Sequence, residues 1–162
     1  MKDKVKELTI IYSKTIKVVG VTFENHPKNI NKIIKNGLEY KVLKKYAGYK
    51  DKELLKQNLK VKEFNHECLG DVLLKPYKFN QEDAIMVLIN DFDDNYLEVG
   101  NIPASEVNTL LPFLKKPENI IVDAYLTGGN LKNILHNNKK DIIAIEELNI
   151  GISLDIIIKN KD

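Results

Sequence analysis

The apolar residues of this chain fall in short runs rich in Val, Ile and Thr, each soon closed by Gly, Pro, Asn or Asp. Runs of that kind fit many short strands, not long helices. The clearest covers residues 15–23, β-branched and partly alternating; 8–12 is either a separate strand or its leading half. Further strands are expected at 39–43, 72–75, 84–90, 96–99, 119–126, 141–148 and 152–158, with 91–95 as a hairpin turn. Helical spacing is rarer. Ile30, Ile33 and Ile34 share one face of a helix over 29–35 that Asn36-Gly37 should stop. Val107, Leu110 and Leu111 mark a second helix, which Pro112 must end or kink. A short helix is expected over 131–135, after a turn at Thr127-Gly128-Gly129. The pattern predicts a mainly β domain with short helices, small and barrel-like.

The chain has 162 residues, 43% of them hydrophobic. At that size one core buries roughly 70% of the unfolded surface, so one domain over 1–162 is expected, without staples. The single Cys excludes an internal disulfide framework. No apolar run approaches the ~20 residues that span a bilayer. The charged start and the brief apolar stretch at 8–12 do not make a signal peptide, which points to the cytoplasm. Residues 45–70 are the least patterned. They read as an insertion, with a short helix from Asp51 to about Asn58 and an extended piece over 59–64.

The net charge is +2, too balanced to demand or exclude a nucleic-acid partner. All 25 basic residues are Lys, a coding bias with one chemical result. Phosphate contacts must come from ammonium, hydroxyl, amide or backbone N–H groups, never from guanidinium forks.

Enzyme motifs are missing. There is no GxxxxGK[ST] loop, GxSxG element or HExxH helix. His66-Glu67-Cys68 falls short of a zinc ligand set, and His26 and His136 lie far off in sequence. Asp91, Asp93 and Asn95 start like a calcium loop, but Tyr96 and Ile102 stand where it needs Gly and Glu. Thr127-Gly128-Gly129 reads as a tight turn before it reads as a phosphate cradle. No catalytic residue, metal or cofactor is assigned. Residues 75–81, Lys-Pro-Tyr-Lys-Phe-Asn-Gln, are read as a polar-aromatic connection, 76–83, between two strands. They mix cations, rings and amides, the material of a single-strand site, although composition alone favours an ordinary loop.

Four segments, in order, resemble the HIRAN domain family. Val18-Val19-Gly20-Val21-Thr22-Phe23-Glu24-Asn25 is similar to its opening strand and first loop. Leu74-Lys75-Pro76 with Asn80-Gln81-Glu82-Asp83-Ala84-Ile85 resembles its Glu-Pro-x-Asn-Pro-Tyr-Asp-x-Asn-Ala-Ile motif. Val99-Gly100-Asn101-Ile102-Pro103 resembles its Val-Gly-Tyr-Ile-Pro turn. Leu110-Leu111-Pro112 through Leu126-Thr127-Gly128-Gly129 resembles its helix, strand and Thr-Gly-Gly turn. The likeness covers about 16–158, with 45–70 unmatched. It implies a small OB-like β-barrel with inserted helices and a non-catalytic module that binds DNA, single-stranded or with a free end. Accessory work beside repair or remodelling enzymes follows, with a helicase or nuclease as partner. By match, Thr22, Phe23, the 76–83 loop and Asn101 would build the pocket. Phe23 with Tyr77 or Phe79 would stack bases, Lys75 and Lys78 would contact phosphate, and Asn80, Gln81 and Asn101 would hydrogen-bond sugar or base edges. The family's Arg-Tyr pair in the first loop is Thr22-Phe23 here, and its Tyr-Asp pair falls on Asn80-Gln81. Those changes, with the balanced charge, leave a protein-interaction module as the alternative. An enzyme ranks third.

Overall fold

A computed structural model of the protein describes residues 9–160. It is mostly β-structure with three short α-helices, and its larger sheet curls into a half-barrel. Strand β1 (Thr9–Lys17) leads through a turn to helix α1 (His26–Glu39). A 3₁₀ turn and helix α2 (Asp51–Gln57) follow, then β2 (Val61–Cys68), β3 (Val72–Phe79), β4 (Glu82–Asn90) and β5 (Tyr96–Asn101). Helix α3 (Ala104–Leu110) runs into 3₁₀ turns that reach β6 (Ile120–His136). The chain closes with β7 (Asp141–Glu146) and β8 (Ile150–Asn160).

The larger sheet has the order β1-β8-β6-β2, with β7 on the second half of β6, and the smaller has the order β3-β4-β5. Residues 18 and 19 join them. The Val18 N–H donates to Ile152 of β8 at 2.9 Å. One residue later, Val19 exchanges two backbone hydrogen bonds with Asn101 of β5, both 2.9 Å. Two neighbouring residues therefore hydrogen-bond to different sheets.

Alternation fills the interior. Ile152, Leu154, Ile156 and Ile158 of β8 point inward, as do Ile85, Val87 and Ile89 of β4. With Ala124, Leu126 and the isoleucines of α1 they form one apolar cluster across both sheets. Burying each such side chain stabilises the fold by about 1.5–3 kcal/mol. Helix α1 packs on β5, and the Asn29 amide donates to the Glu98 carbonyl at 2.8 Å. Among the described residues, no helix is long and apolar enough to cross a membrane.

Several local expectations are corrected. The first strand starts at Thr9 and ends at Lys17, so the expected run over 15–23 breaks where the chain changes sheets; Leu8 lies outside the described residues. Helix α1 runs past Asn36-Gly37 to Glu39, and this lets the Asn36 amide reach the Asp91 carbonyl at 2.8 Å. The strand expected over 39–43 is a turn, with Leu43 tucked into the core. The 76–83 connection is no loop but the two arms of a hairpin, paired from Val72↔Ile89 to Phe79↔Glu82. Its turn is Asn80-Gln81, with φ +50° and +67°, the two positive values of a tight two-residue hairpin turn. Pro76 is tolerated because β3 is an edge strand, where a missing N–H breaks no ladder.

Thr127-Gly128-Gly129 does not reverse the chain, and 131–135 is not a helix. Both lie in the 17-residue strand β6. Residues 120–128 pair with β8 and 131–136 pair with β7, so cross-strand partners override the helical spacing. Positive φ at Gly128 (+102°) and Gly129 (+76°) bends the strand between those partners. A Cβ on Gly129 would lie 2.6 Å from the Glu63 carboxylate of β2. Residues 45–70 thus join the larger sheet, through the pairing of β2 with β6.

Candidate nucleotide-binding cavity

The turn from Val19 to His26 is folded by its own backbone. The Phe23 N–H donates to the Gly20 carbonyl at 3.1 Å, and the His26 N–H donates to the Phe23 carbonyl at 3.0 Å. The His26 ring closes the turn, with Nδ1 2.7 Å from the Gly20 carbonyl. A carbonyl only accepts, so Nδ1 is the donor in this contact. His26 is buried, and Nε2 has no hydrogen-bond partner among the described residues. Pro27 opens α1 at once, which fixes where the turn ends.

This turn faces the hairpin of β3 and β4. Residues 75, 77 and 79 lie on the face of β3 away from the core, opposite Met86, Ala84 and Glu82 of β4. A cavity of about 420 Å³ opens between the two parts. Its walls are Val19, Gly20, Phe23 and Glu24 of the turn, His26, Tyr77 and Phe79 of β3, Met86 of β4 and Asn101 of β5. Phe23 and Phe79 keep 68% and 64% of their surface exposed, so two rings stand free at one mouth. The Asn101 side-chain amide donates to the Tyr77 hydroxyl, which fixes both side chains. Among the described residues that leaves the Asn101 Oδ1 as an acceptor and the Tyr77 O–H as a donor.

Of the residues singled out from the sequence, Phe23, Tyr77, Phe79 and Asn101 meet here. Lys75 lies on the same face of β3, two residues from Tyr77, but outside the lining. Lys78 lies on the opposite face and is paired with Asp83 at 2.6 Å. Asn80 and Gln81 form the exposed hairpin turn beyond Phe79. Thr22 faces away, toward Leu148, Asn149 and Ile150, in a separate cavity. Residues 45–70 contribute nothing to the lining. His26, Met86 and Glu24 were not anticipated. Met86 would have followed from a hairpin reading of 72–90, where it sits across from Lys75. His26 carries no sequence signal of its own beyond following the first-loop segment.

The cavity is mainly apolar, with Glu24 as its one carboxylate and no lysine in its wall. No family model, curated protein or solved structure matches the chain. The arrangement must therefore be read from its own chemistry. Two exposed rings and a small polar set lining one cavity are the kind of surface that can hold a flat heteroaromatic group by its faces and edge.

The other motifs serve the scaffold. The His66 ring stacks on Tyr125, centroids 3.9 Å apart and planes 9° apart, and the Glu67 carboxylate accepts the Lys44 N–H at 3.0 Å. Asp91 is buried in the β4–β5 turn. Burial alone would raise its pKa, but N–H groups of Asn95 and Asp93, the Asn95 amide and Lys32 outweigh it and hold the carboxyl below 3.8.

Proposed function

We propose that the protein is a non-catalytic, HIRAN-like module on an OB-like barrel that seats an unpaired nucleotide of single-stranded or free-ended DNA between Phe23 and Phe79. The observation that carries this reading is convergence. Three stretches far apart in the chain lend residues to the same cavity: Phe23 from the first HIRAN-like segment, Tyr77 and Phe79 from the unmatched residues enclosed by the second, and Asn101 from the third. A base slides between the rings, and stacking contributes about 1–3 kcal/mol per base. Asn101 Oδ1 and the Tyr77 hydroxyl meet its edge or its sugar. A module of this kind serves a repair or remodelling enzyme, a helicase or a nuclease, by holding a strand.

Fluorescence anisotropy at low salt tests it, with a short single strand and a blunt duplex of the same sequence. The single strand should bind more tightly, and Phe23→Ala with Phe79→Ala should abolish the difference. Equal binding of both by the unaltered protein would sink the proposal.

One observation favours a second reading, a protein-interaction module. The walls are apolar, Glu24 is in them, and Lys78 is spent on Asp83. A peptide with an apolar side chain beside a cation would suit such a mouth. That reading predicts that folded protein binds no oligonucleotide at any salt.

A further inference from the structure

The ring cavity lacks cations, yet a nucleotide brings phosphates with it. A second cavity, of about 450 Å³, lies between β1, β2, β6 and the start of β8. Lys17 of β1 and Lys62 of β2 reach it from opposite sides, and Thr127, Asn149 and Ser153 line it between them. It contains no carboxylate. Thr15, also in the lining, donates its hydroxyl to Asp155 at 2.7 Å, and Asp123 of β6 lies across from Asp155. Ion pairs among the described residues use Lys14, Lys32, Lys45, Lys78 and Lys132, and neither Lys17 nor Lys62. Both are exposed. Gly151 adds only backbone to the lining, and a Cβ there would meet nothing nearer than the Lys17 side chain at 3.8 Å, so that part of the sheet is open to approach.

The two cavities share no lining residue, but a third links them. Leu148 and Asn149 line the second and also the small cavity under Val21 and Thr22. The other side of that same turn, Gly20 and Phe23, belongs to the ring cavity. A chain leaving the rings can cross the turn at Val21-Thr22, pass Leu148-Asn149 and arrive between Lys17 and Lys62.

We propose that this second cavity is a phosphate site for the continuing strand. Resting on the reading of the ring cavity, it makes the module a reader of several nucleotides: the base is held where there is no cation, and the backbone where there is no carboxylate. Hydroxyls and an amide beside two lysines suit a phosphodiester, whose oxygens only accept.

The test uses labelled oligothymidines of about three and about ten nucleotides, each titrated at several salt concentrations. Proteins compared are the unaltered chain, Lys17→Gln with Lys62→Gln, and Phe23→Ala with Phe79→Ala; thermal melting checks that each is folded. Losing two phosphate contacts should flatten the plot of log K against log salt by about 1.4 for the longer strand, at ~0.7 per phosphate. The trinucleotide, too short to reach, should bind the lysine variant as it binds the unaltered protein. An unchanged slope for the longer strand overturns the phosphate site, even if the ring variant has lost binding. A slope that falls in the lysine variant while the ring variant binds normally keeps the phosphate site and overturns the ring seat. No binding of either strand by the unaltered protein overturns both.

Discussion

Phe23 and Phe79 each leave about two-thirds of their surface in water, which is costly for a phenyl ring that has no use there. Neither supports the core, so truncating either to Ala should change stability by no more than about 0.5 kcal/mol. Single-strand affinity should fall by about 1–3 kcal/mol for each ring, the value of one stacked base. Thermal melting beside anisotropy separates the two effects. Tyr12 offers a second check at this scale. Burial, the hydrogen bond its hydroxyl donates to Glu106 at 3.1 Å and the charge of Glu106 push it up to about 12. Lys14 also binds Glu106, and the Lys14 ammonium leads the causes that lower that carboxyl. A raised tyrosine stabilises the fold fully below its ordinary value of 10, and that contribution fades as pH rises through about 12. Glu106→Gln should return Tyr12 toward the ordinary range, read by ultraviolet absorbance during alkaline titration.

Elements are positioned by few contacts, and those contacts can be broken singly. The β4–β5 turn holds α1 through Asn36 on the Asp91 carbonyl, and α1 in turn holds His26 and the turn of the ring cavity. Because the Asp91 carboxyl is held below 3.8, its stabilising contribution is complete above that value and disappears as pH falls through the lower, folded one. Asp91→Asn should melt earlier than the unaltered protein near neutrality, with the gap closing below about pH 4. Gly100 is the other sensitive point, since a Cβ there would lie 2.5 Å from the Val19 carbonyl, where the chain joins the two sheets. Gly100→Ala should cost at least about 1–3 kcal/mol, the range for overpacking, in chemical denaturation. The sequence makes some of these elements plain and hides others. The strands with alternating isoleucines, such as 84–90 and 152–158, and the face of Ile30, Ile33 and Ile34 were legible because each carries its own period. The hairpin of β3 and β4 was missed because Lys75, Pro76 and Lys78 interrupt the alternation of Val72 and Leu74 on one face with Leu73, Tyr77 and Phe79 on the other. The length of β6 was missed because its second half is extended by its partners, and no local pattern at 131–135 records them. In the cavity, Tyr77 and Phe79 stand out through the mix of rings, cations and amides over 75–81, whereas Phe23 and Asn101 come only through the resemblance. His26, Glu24 and Met86 belong to it only through packing.

At the scale of the molecule, everything depends on the two sheets meeting at Val18 and Val19. That junction brings the first turn against the β3–β4 hairpin and against the end of β5. A balanced net charge of +2 then stops being an argument against nucleic acid, because free lysines and carboxylate-free walls are grouped locally. The central claim is that one unpaired base sits between Phe23 and Phe79. It is tested most directly by proton NMR of the folded protein titrated at low salt with a short single-stranded DNA. Ring-current shifts in the resonances of both phenylalanines, with cross-peaks from each ring to a base, are the predicted result. Saturation of the protein with those ring signals unmoved would contradict it.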